Sequence, residues 1–317
     1  MPVTVVILTL NEEESLPYAL QSVAGWAQEI VVLDSGSTDR TRAVAERFGA
    51  RFVVHRFEDY SRQRTFALRD LQVDTEWVLF LDADEWVPDG LRSEITTVLS
   101  KQPAENGFLV TFRLIWMGKP IRFGYRPSWL LRLVRRDAAS CDDRGVNEHL
   151  TVSGATGYLT ARFIHEDRKD ISDWIQKHDR YATREAACRL TDVAREDGEP
   201  ARLLGTRAER TRWIRARVWS RLPPLVRPWL YFLGRYVLLG GFLDGRSGLT
   251  FHFLQALWYQ SLIDIKFLNP PPGSGRAAVP GAAPDLAAPG PTPVLAAAGA
   301  TPAVAPRAAR ELVKRTQ

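Results

Sequence analysis

Two stretches decide the fold: Val3–Glu14, VTVVILTLNEEE, and Trp77–Glu85, WVLFLDADE. Each is an apolar run of strand length that breaks off into acidic residues. Two further runs of the same kind, Glu29–Asp34 and Arg51–His55, lie between them. Ser15–Ala24, Asp39–Phe48, Ser61–Leu71 and Pro88–Ser100 carry apolar residues at helical spacing instead. Strands that are apolar throughout, each followed by an amphipathic helix, predict an α/β fold with a mostly parallel sheet covered on both faces. Ligands of such sheets gather at the carboxyl ends of the strands, so the acids there are the first functional candidates.

The pattern changes after Asn106. Gly107–Trp116 and Ile121–Val134 read as longer strands, the second interrupted by Pro127, and Asp170–Leu190 as a helix. Two apolar helical runs follow, Trp229–Leu243 and Leu249–Leu268. These divisions predict a domain over residues 1–200, a basic amphipathic helical segment over 201–269, and a tail over 270–317. The tail holds 10 of the 20 prolines and is expected to be disordered.

Composition narrows the class. The 317 residues are 45% hydrophobic and 25% charged, an ordinary soluble balance. Two cysteines, Cys141 and Cys188, exclude a disulfide framework and a four-cysteine zinc module, and fit a reducing compartment. The first residues lack a basic start and a small-residue cleavage site, so they are read as a strand and not as a signal peptide. The net charge of +5 is concentrated: Arg202–Arg227 holds eight arginines against one acid, Glu209. That distribution argues against a nucleic-acid-binding surface spread over the fold.

Three strand ends carry the chemistry. In LFLDADE, Asp82 and Asp84 point the same way if the strand stays extended through Ala83, and such a pair suits a hard divalent cation. The bland alternative is a solvated turn. In VVLDSGSTDRT, Asp34 ends a strand before a Gly/Ser turn and is placed to accept from a base or a ribose, or else to shape the turn; Asp39 is an N-cap. Thr9, Asn11 and Glu12 leave the sheet at the same edge.

Together these motifs resemble the family 2 glycosyltransferases of the GT-A fold. The closest likeness is to the bacterial branch that builds lipopolysaccharide core and capsule. Gln63-Arg64, Arg132-Leu133 and the element GVNEHL extend it. The resemblance implies an inverting hexosyltransferase with a nucleotide-diphosphate sugar as donor and Mg or Mn as cofactor. By the same resemblance Asp34 binds the nucleobase, and Thr9, Asn11 and Glu12 wall the nucleoside pocket. Asp82 lies near ribose and metal, Asp84 is the principal metal ligand, and Arg64 meets the diphosphate. Ala83 and Arg132 join the donor-binding residues. His165 either completes the metal site or packs at a strand end. Glu148 and His149 are the candidates for general base, with Glu148 preferred because a carboxylate takes a proton from an acceptor hydroxyl. Trp116 and Trp129 either stack on sugar or pack in the core.

Glu209–Trp213 imitates poorly the motif of processive relatives, which implies single additions. The acceptor is expected to be a glycan or lipid-linked. The arginine-rich segment and the helices after it suit an anionic membrane surface, on the inner face of the cell membrane, or a helical hairpin packed back on the sheet. The competing functions are a polyprenyl-phosphate glycosyltransferase, whose anionic acceptor needs no base, and a catalytically silent nucleotide-sugar binding protein.

Overall fold

The structure, a computed structural model, describes residues 1–141, 150–194 and 222–270. Its centre is a nine-stranded sheet. The first four long strands are β1 (Val3–Thr9), β2 (Glu29–Asp34), β3 (Arg51–Val54) and β4 (Trp77–Asp82). They pair in parallel in the order β3-β2-β1-β4. Between them run α1 (Leu16–Val23), α2 (Thr41–Arg47) and α3 (Tyr60–Arg69). β1 and β4 are buried along almost their whole length, which is why both read as unbroken apolar runs.

The sheet continues beyond β4 with strands that return from later in the chain. A short β5 (Glu85–Trp86) and α4 (Asp89–Ser100) lead to β6 (Gly107–Trp116), β7 (Lys119–Pro120) and β8 (Leu130–Arg135). β8 lies antiparallel between β4 and β6, so β6 runs in the direction of β4. β9 (Ala139–Cys141) and β10 (Leu150–Val152) form a separate ribbon. β11 (Thr156–His165) runs parallel to β6 and antiparallel to β5, closing the order β4-β8-β6-β11-β5.

Two expectations need correction. Ile121–Val134 is not one long strand: only Leu130–Arg135 is extended in the sheet. Residues 121–129 cross the end of the sheet instead, because Asp244 accepts from the Arg122 and Phe123 amides, and the Gly124 amide donates to the Leu239 carbonyl. Gly124 sits at φ +67, where a Cβ would run into the Arg235 carbonyl and His252. Trp229–Leu243 is likewise not one helix. α6 (Val226–Leu233) widens into a π-helical turn through Leu238, and a 3₁₀ turn follows over Gly241–Asp244.

The remaining helices form a layer against the sheet. These are α5 (Ile171–Ala194), α7 (Gly245–His252), a π-helical stretch over Phe253–Trp258, and α8 (Tyr259–Leu268). Tyr181, Ala182 and Ala186 of α5 pack on Tyr259 and Ile263 of α8. Asp264, buried in α8, takes hydrogen bonds from Arg189, Arg227 and the Leu225 amide. Trp116 is a core residue: it packs against Trp174 and Phe251, and its indole donates to Thr250. Trp129 meets Tyr158 edge-on. All of the expected tail, 270–317, except Pro270, and most of the arginine-rich segment lie outside the described residues.

Candidate active site

The parallel register sets Thr9 beside Asp34 and Leu8 beside Asp82. Asp34 is buried, and its neighbourhood saturates it. Thr9 Oγ1 donates to Oδ1 at 2.8 Å, and the Gly36 and Ser37 amides donate to Oδ2 at 2.9 and 2.7 Å. Asn11, at φ +52, accepts from the Thr38 amide at 2.8 Å, and its own amide donates to Ser37 Oγ. Asp34 and Asn11 thus shape one loop, residues 35–38, over the ends of β1 and β2. Asp39 accepts from the Thr41 and Glu13 amides at the start of α2.

Asp82 and Asp84 do not point the same way. The chain turns at Ala83 and Asp84 before resuming as β5. Asp82 faces Arg132 of β8, which donates to both of its oxygens at 3.1 and 2.6 Å. Arg132 is itself buried and also reaches Glu85 at 3.1 Å. A buried guanidinium without counter-charges would cost several kcal/mol, and these two carboxylates supply them. Burial alone would raise Asp82, but Arg132, helped by Arg64 of α3, holds it down at about 2. Glu85 has no exposure, and burial, with Asp82 and Asp84 nearby, pushes it up to about 8 against the pull of Arg132.

Asp84 turns to the other side. His165 Nδ1, at the end of β11, lies 3.5 Å from Oδ1, and Lys177 Nζ of α5 lies 3.6 Å from Oδ2. Lys177 is buried and pairs at 3.2 Å with Asp167. Desolvation works against its charge, yet Asp167 and Asp84 raise its pKa well above the ordinary value. The β11–α5 connection thereby lies across the ends of β1 and β4. The Glu166 amide donates to the Asp84 carbonyl, and Lys169 reaches Glu12 at 2.7 Å. Burial lifts Glu12 to about 7 despite Lys169.

The donor set fits a divalent cation in part. Among the described residues no three histidines, cysteines or acids converge as a metal cluster, so Asp82, Asp84 and His165 do not stand together as ligands. Asp82 is committed to Arg132. Asp84 and His165 remain: Asp84 has only long contacts, and the buried His165 Nδ1 has no hydrogen-bond partner. Asp82, Asp84 and Asp167 face Arg132, Lys169 and Lys177 here, with Arg64 at the rim and with Glu12 and Glu85 raised toward their neutral forms. Such a cation would draw its other oxygens from water and diphosphate, and would neutralise the charge of a leaving group.

Lys169, Lys177, Asp167 and Glu85 were not singled out by spacing. The run HEDRKD after an apolar stretch was the available signal, and it reads equally as a solvated turn. Glu148 and His149 lie outside the described residues.

Residues 4–140 match the family model described as glycosyl transferase family 2. This stretch is a glycosyltransferase family 2 domain, and the protein is a transferase. The transferase is 28% identical over 275 residues to the lipopolysaccharide core biosynthesis glycosyltransferase LpsC of Rhizobium meliloti (strain 1021), covering 81% of this chain and 91% of that protein. A glycosyltransferase of Rickettsia bellii is 34% identical over 111 residues, 35% of this chain and 37% of that one. Among solved structures, S. aureus TarS 1-349 in complex with UDP-GlcNAc superposes with a TM-score of 0.43 at 15% identity, over 84% of this chain and 92% of that one. This transferase therefore shares its matched domain with the family and most of its length with LpsC. Its architecture is mixed α/β, built on a nine-stranded sheet.

Proposed function

We propose that this transferase moves a sugar from a nucleotide-diphosphate sugar to a hydroxyl of a lipid-linked cell-envelope glycan, with inversion at the anomeric carbon. The observation that carries the donor assignment is the divergence of the two aspartates. Asp82 is locked to Arg132, while Asp84 faces the site edge beside His165 with carboxylate capacity to spare. Arg64 and the Thr9–Glu12 turn border that edge and are assigned to the diphosphate and the nucleoside. Asp34 acts on the nucleoside side chiefly through the loop it shapes. A divalent cation is assigned to Asp84 with His165. LpsC supports the choice of lipopolysaccharide core as the acceptor class.

Inversion needs a base opposite the leaving group. Glu148 is assigned that role: its carboxylate takes the acceptor proton as the new C–O bond forms. The test is transfer from a panel of nucleotide sugars onto truncated lipopolysaccharide, with the anomeric configuration of the product read by NMR. An inverted product, and a Glu148→Gln variant that binds donor but turns over about 10²–10⁴-fold more slowly, are expected. A retained configuration sinks the inverting mechanism. An unaffected Glu148→Gln variant moves the acceptor to a polyprenyl phosphate, and donor binding without turnover on any acceptor leaves a silent binding protein.

A further inference from the structure

The helical layer breaks the usual rule for a soluble surface. Trp229, Leu233, Leu238, Leu239, Phe242 and Leu243 all stand largely in solvent, with Leu238 83% exposed. They come from one continuous stretch, α6, its π-helical turn and the 3₁₀ turn. The hairpin between β6 and β7 adds Met117, and the chain just after it adds Phe123, both exposed. The hairpin's continuation is fastened to this stretch: Asp244 holds the Arg122 and Phe123 amides, and the Gly124 amide donates to Leu239. Exposed apolar side chains are thus gathered on two segments bonded to each other. Patches of this kind mark interaction surfaces.

The charge beside the patch selects the partner. Of the bases in residues 117–126 and 222–253, Lys119, Arg122, Arg126 and Arg246 are exposed, while Arg235 is buried and Arg227 pairs with Asp264; the one acid is Asp244. That acid is occupied by two backbone amides. The chain enters the layer from a stretch with seven arginines between Arg202 and Arg221. A protein partner burying the patch would have to match this shape; an anionic lipid surface needs only apolar depth and negative headgroups. Among the described residues no helix is long and apolar enough to cross a membrane.

Topology ties this face to the chemistry. β6 runs in the direction of β4, so its carboxyl end, from which the hairpin springs, lies at the same edge as Asp82. We infer that the patch from Trp229 to Leu243, with Met117 and Phe123, docks the enzyme on an anionic membrane and turns its site edge toward an acceptor carried by a lipid. The inference rests on the transfer function proposed above only for the acceptor; the docking itself is independent of it.

Flotation of the full chain with vesicles of phosphatidylglycerol and phosphatidylethanolamine tests the docking, with phosphatidylcholine vesicles as the neutral arm. The wild type should float with the anionic vesicles, bind neutral ones at least tenfold less, and dissociate as salt rises, as screening of exposed charges requires. Leu238→Asp with Phe242→Asp should weaken binding by roughly tenfold or more, since two apolar anchors are lost. Its melting temperature and nucleoside diphosphate binding should not change. A second reading needs no stability control: brominated lipid should quench tryptophan emission, and Trp229→Phe should remove much of the quenched fraction. The inference is overturned if neither vesicle binds, if the double variant floats like wild type, or if Trp229 is not quenched. It is also overturned if the patch instead holds a vesicle-free dimer that the double variant dissociates. Failure of nucleotide binding in the wild type, with flotation intact, would strike the transfer assignment and leave the docking standing.

Discussion

At the carboxyl edge of the sheet, carboxylates and cations lie out of water; on the layer formed by α6 and the turns after it, large apolar side chains lie in it. Each arrangement is unfavourable in isolation. Burying Glu85, Asp82 and Arg132 costs desolvation that only mutual pairing offsets. Exposing Leu238 and Phe242 forgoes about 25 cal/mol for each Å² left uncovered. The difference teaches which phase each region faces. Both proposals rest on that difference: a small charged ligand at the sheet edge, and a surface that excludes water against the helical layer.

The largest expected effect lies at the sheet edge. Asp84→Ala should reduce transfer by about 10³-fold or more, because the cation's stabilisation of the leaving diphosphate is worth several kcal/mol. Its melting temperature should stay near wild type, since Asp84 makes only long contacts. Initial rates with saturating Mn²⁺ check this, and a fully active variant would break the assignment of Asp84 to the cation.

Arg132→Met should act on stability first. It leaves Asp82 and Glu85 buried without their cation, at a cost of about 3–5 kcal/mol. Urea titration reads the loss. A small change would mean that water reaches the pair and that the edge is less dry than the burial of Arg132 and Glu85 implies.

Acid–base behaviour sharpens the same contrast. Burial raises Glu12 from 4.5 to about 7. A carboxyl raised on folding keeps its proton in the native state after the unfolded chain has lost it. Its contribution is therefore intact below about pH 4.5 and is lost as pH rises through 7, an effect of roughly 3 kcal/mol. Glu12→Gln should flatten this fall between pH 5 and 7.5, as measured by unfolding free energy at each pH. A wild type whose stability rises across that window would contradict a Glu12 whose burial outweighs the pull of Lys169.

Smallest of all should be the stability change in Leu238→Asp with Phe242→Asp, within about 0.5 kcal/mol of wild type, because Leu238 is exposed and Phe242 is half-exposed with an edge-on contact to Tyr236. A loss of several kcal/mol would show that the patch is part of the core and erase the comparison.

The two regions were also unequally legible. β1, β2 and β4 announced themselves because burial on both faces leaves unbroken apolar runs, and Asp34, Asp82 and Asp84 stand where those runs stop. The partners of the cations were hidden. Lys169 meets Glu12 across 157 positions of sequence and Arg132 meets Asp82 across 50, so no local pattern couples them. The expectation that Asp82 and Asp84 share a direction failed because the chain turns at Ala83, and what fixes that turn, the pull of Arg132 and the Glu166–Asp84 backbone bond, arrives from later strands. The apolar helices were visible as helices, but periodicity alone does not tell which apolar positions are covered. Tyr259 and Ile263 pack inward while Leu238 and Phe242 do not.

Calorimetric titration of the wild type with a panel of nucleoside diphosphates, with and without Mn²⁺ or Mg²⁺ and repeated on Asp84→Ala, tests the central assignment most directly. One nucleoside diphosphate should bind selectively, tighten at least tenfold when the cation is present, and lose that gain, but not all binding, in Asp84→Ala. Binding of no nucleotide would contradict a donor site at this edge. A cation effect that survives in Asp84→Ala would place the metal elsewhere.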